Sequence, residues 1–132
     1  MALPYSHAIL MSIGFFLFVC GVLVALAARG KRWRIKAHRA AGTAGAVLIL
    51  SGVSVAAFMI ETTSGPHLAM PHAWVGAAAT FAALLTPVLG YALIKTRRNR
   101  ETIGKGHRWS GRLTLLLLLA AILSGARLIG IL

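Results

Sequence analysis

Four long apolar segments, separated by short polar linkers, account for most of the chain. The segments lie at roughly 4–28, 36–60, 70–94 and 106–132, and the linkers at 29–35, 61–69 and 95–105. A transmembrane helix needs about 20 apolar residues to cross the hydrocarbon core, and each segment is long enough. Because the linkers are too short to hold a soluble domain, neighbouring helices are expected to run antiparallel. The pattern predicts one all-α membrane domain over residues 1–132, an antiparallel up-and-down bundle of four transmembrane helices.

The composition agrees with a membrane protein. The 132 residues are 58% hydrophobic and 12% charged, whereas soluble domains carry about 25% charged residues, so a soluble enzyme is excluded. The net charge of +12 does not indicate nucleic-acid binding, because the basic residues alternate with long apolar segments. The single cysteine, Cys20, permits neither an internal disulfide nor a thiolate metal site, and packing within the bundle is its expected role.

Basic residues are concentrated around two of the three linkers. Thirteen of the fourteen Lys and Arg residues flank the first and third linkers, and Arg127 is the exception. Lys and Arg near short loops remain on the cytoplasmic side of a membrane. Both termini and the 61–69 linker are therefore predicted to lie on the outer, non-cytoplasmic side.

Four of the five histidines stand at the beginnings of the four predicted helices. His7 and His72 open the first and third helices near the outer surface, whereas His38 and His107 open the second and fourth near the cytoplasmic surface. Alternate helices of an up-and-down bundle face each other across the core, so each pair is expected to meet there. Two imidazoles without acids or thiolates are too few for a zinc site. They suit a planar haem, which takes an axial ligand on each face, and the sequence predicts one bis-histidine haem near each surface.

Glycines recur at fixed distances from these histidines. Three follow a histidine by four residues and so share its helix face: Gly42, Gly76 and Gly111. A second set lies 14 or 18 residues beyond a histidine, at the depth of the other layer: Gly21, Gly52, Gly90 and Gly125. Gly14 and Gly45 continue the stripe. We expect these glycines to leave room for the rings, and the alternative is ordinary packing, because small residues are common where membrane helices meet.

Taken together, these motifs resemble the four-helix core of the cytochrome b561 family, including the members attached to DOMON domains. The matching pieces are His7-Ala-Ile-Leu-Met11, His38 with Gly42 and Gly45, His72-Ala-Trp-Val-Gly76, Pro87-Val-Leu-Gly90 and His107-Arg-Trp-Ser-Gly111-Arg112. The resemblance covers nearly the whole chain. It implies two b-type haems, with His7 and His72 as ligands of the outer haem and His38 and His107 as ligands of the cytoplasmic haem.

The chain also departs from the family pattern. Relatives commonly have six spans, and many carry glutamines near Thr86 or Pro87 and near Gly42, whereas this chain has four spans and lacks those glutamines. The electron donor, ascorbate included, is therefore left open. The expected location is the inner or plasma membrane of a bacterium or archaeon.

The function expected from these features is the transfer of single electrons between a donor and an acceptor on opposite sides of the membrane. One alternative is a haem-bearing subunit of a larger oxidoreductase that uses a quinol or another small reductant, with Thr86 and Ser51 or Ser54 near its site. The other is a haem-free bundle that serves assembly or anchoring. Lipid is the expected surrounding, a homodimer or larger redox complex is a further expectation, and no residue is predicted to perform acid–base catalysis.

Secondary candidates have two interpretations each. Arg39 and Arg108 follow the cytoplasmic histidines and are expected either to bind haem propionates or simply to carry positive-inside charge. Arg127 would reach the propionates of the outer haem or extend to the membrane surface. His67 would help a partner dock or merely be exposed in its loop. Aromatic residues near the predicted membrane interfaces are expected to anchor the spans: Tyr5, Trp33, Trp74 and Trp109.

Overall fold

The computed structural model describes residues 2–131, which form four α-helices. The helices are α1 (Ala2–Ala27), α2 (Arg34–Thr62), α3 (Pro71–Lys95) and α4 (Arg100–Leu128). Each is long and apolar enough to cross a membrane. The predicted all-α, four-helix membrane class is confirmed, and within residues 2–131 there is no strand.

The fourth helix begins earlier than the apolar pattern predicts, at Arg100 rather than near residue 106. Asn99 precedes it in the left-handed conformation, with φ of 58°, and Glu101 forms an ion pair of 2.8 Å with Lys105 one turn further on. A carboxylate in the first turn also complements the positive end of the helix dipole. Hydropathy marks only the part of a helix that suits lipid, so it missed this polar first turn.

The same helix ends at Leu128, short of the predicted boundary. Gly130 has φ of 72°, and its N–H donates to the Arg127 carbonyl while the Ile131 N–H donates to the Ala126 carbonyl. These bonds close the helix as a glycine cap does. Leu132, with which the fourth segment was predicted to end, lies outside the described residues.

The bundle consists of two helical hairpins. α1 packs along α2 and α3 packs along α4, whereas the contacts of α2 with α3 and of α1 with α4 are sparser. Among the described residues, the backbone of α1 does not closely approach that of α3, nor that of α2 the backbone of α4, so these are the diagonal pairs. One end of the bundle, which we call the basic end, carries the connections at 28–33 and 96–99. The other end, which we call the terminal end, carries the 63–70 connection, the start of α1 and the end of α4.

The first hairpin closes tightly at mid-height. A Cβ added to Gly14 would lie 3.1 Å from the Gly45 carbonyl oxygen, and one added to Gly45 would lie 3.0 Å from the Gly14 carbonyl oxygen. Phe18 and Ile49 are buried beside this crossing. Gly14 and Gly45 therefore allow two helix backbones to approach closely, as small residues do in membrane proteins. They do not continue the row of glycines that was expected to leave room for a haem ring.

The exterior of the bundle is largely apolar. Large side chains such as Phe16, Phe58, Phe81 and Leu116 are exposed along all four helices. Monomeric soluble proteins rarely expose apolar surface on this scale, because it would be in contact with water. The predicted anchoring aromatics are exposed as well: Tyr5, Trp33, Trp74 and Trp109. The chain is an integral, multi-pass membrane protein whose spans contact lipid.

Candidate haem-binding sites

The structure brings the four helix-initiating histidines together in two diagonal pairs. The ring centroids of His7 and His72 are 6.3 Å apart at the terminal end, and those of His38 and His107 are 5.8 Å apart at the basic end. In each pair the ring planes are 85° apart. The pairs join α1 to α3 and α2 to α4, the diagonal helices of the bundle. Each pair therefore spans the centre of the bundle.

Three of the four histidines donate a hydrogen bond from Nδ1 to a backbone carbonyl. His7 donates to Gly52 (2.8 Å), His38 to Gly21 (2.9 Å) and His107 to Thr86 (3.0 Å). Because a carbonyl oxygen can only accept, Nδ1 must carry the hydrogen. In the neutral imidazole the other nitrogen, Nε2, then keeps its lone pair, which is the requirement for binding a metal.

The fourth histidine reaches the same tautomer through a side chain. His72 Nδ1 lies 3.0 Å from the Ser124 hydroxyl oxygen, and that hydroxyl lies 3.0 Å from the Ala121 carbonyl. The hydroxyl hydrogen is directed to Ala121, so Ser124 accepts from His72. All four rings thus keep a lone pair on Nε2, and a hydrogen bond to the neighbouring helix fixes the orientation of each.

The separation within each pair fits one metal ion between two imidazoles. With metal–nitrogen bonds of about 2.0–2.1 Å, imidazoles on opposite sides of one ion have ring centroids about 6.4 Å apart. The separation of 6.3 Å at the terminal end matches that value, and the separation of 5.8 Å at the basic end is slightly shorter. The two pairs can therefore act as axial ligand sets for haem iron.

The glycines one turn after the histidines border open space. A Cβ added to Gly42 or Gly76 would meet no atom within 4 Å, and one added to Gly111 would meet only Thr86 Cγ2, at 3.8 Å. At the basic end this space is a cavity of about 700 Å³ lined by His38, His107 and apolar side chains. Pockets that hold cofactors fall in a range of about 300–1,000 Å³ and are mostly apolar.

The second set of glycines lies next to the histidines, and two of its members, Gly21 and Gly90, also line the basic-end cavity. Each lies beside a histidine of the adjacent helix in its own hairpin. A Cβ at Gly125 would be 2.9 Å from His72 Cε1, and one at Gly90 would be 3.1 Å from His107 Cε1. Gly21 and Gly52 supply the carbonyls that accept from His38 and His7. These four glycines therefore stand at the predicted depth: Gly90 and Gly125 leave room for a histidine ring, and the carbonyls of Gly21 and Gly52 orient one.

Arginines surround the cavity at the basic end. Those that line it are Arg29, Arg34, Arg39, Arg100, Arg108 and Arg112. Within the described residues no acidic side chain lines it. Such a rim suits carboxylate groups, which arginine binds through paired hydrogen bonds. The positions of Arg39 and Arg108 are thus compatible with the predicted binding of propionates.

Four further candidates have exposed side chains. Arg127 is exposed in the last turn of α4. His67 is exposed in the connection between α2 and α3, where its Nε2 lies 2.8 Å from Glu61 Oε1. Ser51 and Ser54 are exposed on α2, and their hydroxyls donate to carbonyls of their own helix. Neither serine lines the basic-end cavity with Thr86, so the structure does not assemble the three into one quinol site.

The sequence reasoning missed a buried cluster of hydroxyl groups between α3 and α4. Thr86 Oγ1 lies within hydrogen-bond distance of Ser110 Oγ and of Thr114 Oγ1, the latter at 2.9 Å, and Thr114 is fully buried. Pro87, which follows Thr86 in the chain, lies inside α3. The signal was available, because hydroxyl residues four apart within an apolar helix need partners inside the bundle.

The arrangement of paired histidines in a four-helix membrane bundle agrees with the comparison against known families. A family model described as eukaryotic cytochrome b561 matches residues 6–129, nearly the whole chain. Searches of curated proteins and of solved structures returned no significant match. Members of the matching family bind haem b and transfer electrons across membranes. The chain belongs to the cytochrome b561 family.

Proposed function

We propose that this protein holds two b-type haems, one between His7 and His72 and one between His38 and His107, and transfers single electrons across the membrane. The observation that carries the proposal is the pair of diagonal histidine contacts, with centroids 6.3 and 5.8 Å apart and every Nδ1 engaged elsewhere. Haem iron, when bound, would supply the reversible one-electron change.

The roles of the chain's own residues follow from their contacts. The histidines present Nε2 to the metal, and their Nδ1 partners hold each ring at its angle. Gly42 and Gly111 leave open space beside one pair, and Gly76 leaves it beside the other. The arginines at the basic end are placed to bind carboxylates, and the apolar helices keep water from both sites.

The depth of the sites supports a path across the membrane. His7 and Gly21 lie on the same helix 14 residues apart, and Gly21 accepts from His38. At about 1.5 Å of rise per residue, the two histidine layers are therefore about 21 Å apart along the bundle. The hydrocarbon core is about 30 Å thick, so each layer lies near one membrane surface.

The basic residues support an orientation. We infer that the basic end faces the cytoplasm, because short loops rich in Lys and Arg are retained there. The terminal end, with both chain ends and the His7–His72 pair, then lies on the outer side. The redox donor and acceptor are expected at opposite ends of this single domain.

The decisive experiment measures haem content and the ligands together. Pyridine haemochrome quantification on the purified protein is expected to give haem b at two per chain, with a reduced-minus-oxidised spectrum typical of six-coordinate haem. His72→Ala and His38→Ala should each lose one haem. His67→Ala is the matched control, because this histidine is exposed and pairs with Glu61, and it should retain both.

Two outcomes would overturn the proposal. A folded protein without haem would favour the assembly or anchoring alternative, and loss of haem in His67→Ala would show that the assigned pairs are wrong. Electron transfer itself is tested in sealed vesicles with ferricyanide trapped inside and dithionite outside. The intact protein should accelerate ferricyanide reduction, and the two single-haem variants should not.

A further inference from the structure

The four histidines differ in what accepts their Nδ1 hydrogen. For His7, His38 and His107 the acceptor is a backbone carbonyl, which no side-chain substitution removes. For His72 the acceptor at 3.0 Å is the hydroxyl of Ser124, which itself donates to the Ala121 carbonyl, the backbone group that also lies beside this ring. The terminal-end pair thus combines one carbonyl-bound and one hydroxyl-bound histidine, whereas the basic-end pair has two carbonyl-bound histidines.

Position and packing make Ser124 suited to this role. Its hydroxyl donates to the Ala121 carbonyl one turn earlier on α4, which directs an oxygen lone pair at His72. The next residue is Gly125, and the absence of a Cβ there lets the His72 ring lie against α4 at the height of Ser124. The serine is half-buried, so bulk water competes little for the bond.

The strength of this acceptor matters for a metal ligand. A stronger acceptor draws the Nδ1 hydrogen away and makes the imidazole a better electron donor through Nε2, which stabilises the oxidised metal. A hydroxyl oxygen is a weaker acceptor than an amide carbonyl. His72 is accordingly the weakest electron donor of the four ligands, and the hydrogen bonds of axial ligands are among the features that set haem potentials.

We infer that Ser124 is a positioning residue that sets the reduction potential of the haem held by His7 and His72. The inference rests on the proposed function, because it requires that pair to be the axial ligands. By holding His72 with a weak acceptor, Ser124 keeps this potential higher than a carbonyl acceptor would. Because Ser124 is the one side chain among the four Nδ1 acceptors, a substitution there changes the hydrogen bond of His72 and leaves those of the other three ligands intact.

The test is a redox titration of the purified holoprotein that resolves the two midpoint potentials. The midpoints are assigned to their sites from the single-haem variants His72→Ala and His38→Ala. Ser124→Ala removes the hydroxyl and leaves the Ala121 carbonyl, a stronger acceptor, beside the His72 ring, so the midpoint of the His7–His72 haem should fall. Ser124→Asn offers an amide oxygen, a stronger acceptor, and should lower it, whereas Ser124→Thr keeps a hydroxyl and should leave it near the original value.

The controls separate this effect from a general change in the protein. Ser54→Ala removes a hydroxyl that donates only to the Leu50 carbonyl on the exposed side of α2, and it should move neither midpoint. The midpoint of the His38–His107 haem should stay constant in all the variants. If Ser124→Ala loses haem, the lower midpoint of Ser124→Asn and the unchanged midpoint of Ser124→Thr still decide the question.

The possible failures are distinguishable. Two haems whose midpoints do not respond to Ser124→Ala and Ser124→Asn would overturn this inference and leave the proposed function standing. A rise in the midpoint of Ser124→Asn would also overturn it, because a stronger acceptor would then not stabilise the oxidised metal. A protein without haem would overturn the proposed function first.

Discussion

The sharpest structural prediction concerns Gly125, whose added Cβ would lie 2.9 Å from His72 Cε1 and 3.5 Å from both ring nitrogens. Carbon atoms in contact prefer separations of about 3.5–4.0 Å, so Gly125→Ala forces the ring back by about 0.6 Å or more. Metal–ligand distances tolerate about 0.2 Å. The displaced ring cannot keep both its Ser124 bond, now 3.0 Å, and its place opposite His7.

We therefore expect Gly125→Ala to lower haem content from two towards one per chain, with the loss confined to the His7–His72 site. The matched control is Gly104→Ala on the same helix, where the added Cβ would make ordinary contacts of 3.5 Å with Arg108 and 3.6 Å with Leu93. Both substitutions gain about 1 kcal/mol of helix propensity. The assay is pyridine haemochrome content with a redox titration. Two haems and an unchanged spectrum in Gly125→Ala would refute the reasoning.

Three further predictions follow from other parts of the structure. Gly76→Leu fills open space beside His72 and should remove the same haem while the helical circular dichroism is retained; binding of both haems would contradict this. Thr114→Val breaks a buried hydrogen bond between helices, for which we expect a loss of about 1 kcal/mol and a lower Tm in detergent. The control Thr80→Val removes a hydrogen bond within α3 only. An equal loss of Tm in this control would show that the bond between α3 and α4 adds no stability of its own. In a chain without its native thiol, Thr63→Cys should react with an impermeant maleimide added outside cells and Arg97→Cys should not, and the reverse labelling would invert the proposed orientation.

The fold was largely predictable from the sequence because a membrane imposes a simple rule. A chain in lipid must satisfy its backbone hydrogen bonds internally, so each long apolar segment becomes a helix. The boundary of α4 was wrong because the turn that begins at Arg100 is stabilised by Glu101 and Lys105, which hydropathy does not register.

The sequence was sufficient to predict which histidines form each pair. His7 and His72 open alternate helices at one end, and antiparallel topology alone brings such residues to one level across the core. Their hydrogen-bond partners were not predictable. The rotation of each helix about its axis decides whether Gly125 faces a ring or a haem, and many side chains acting together set that rotation.

The sequence by itself determined that the helices are surrounded by lipid, how many spans there are and how deep each candidate ligand lies. Hydropathy and helical rise depend only on local composition and spacing. Only the tertiary structure decided which atoms meet. It directed the Nδ1 hydrogen of His72 to Ser124, set Gly14 against Gly45, and joined Thr86 to Thr114 across two helices. Contacts of this kind depend on the rotation and close packing of whole helices, which no residue spacing encodes alone.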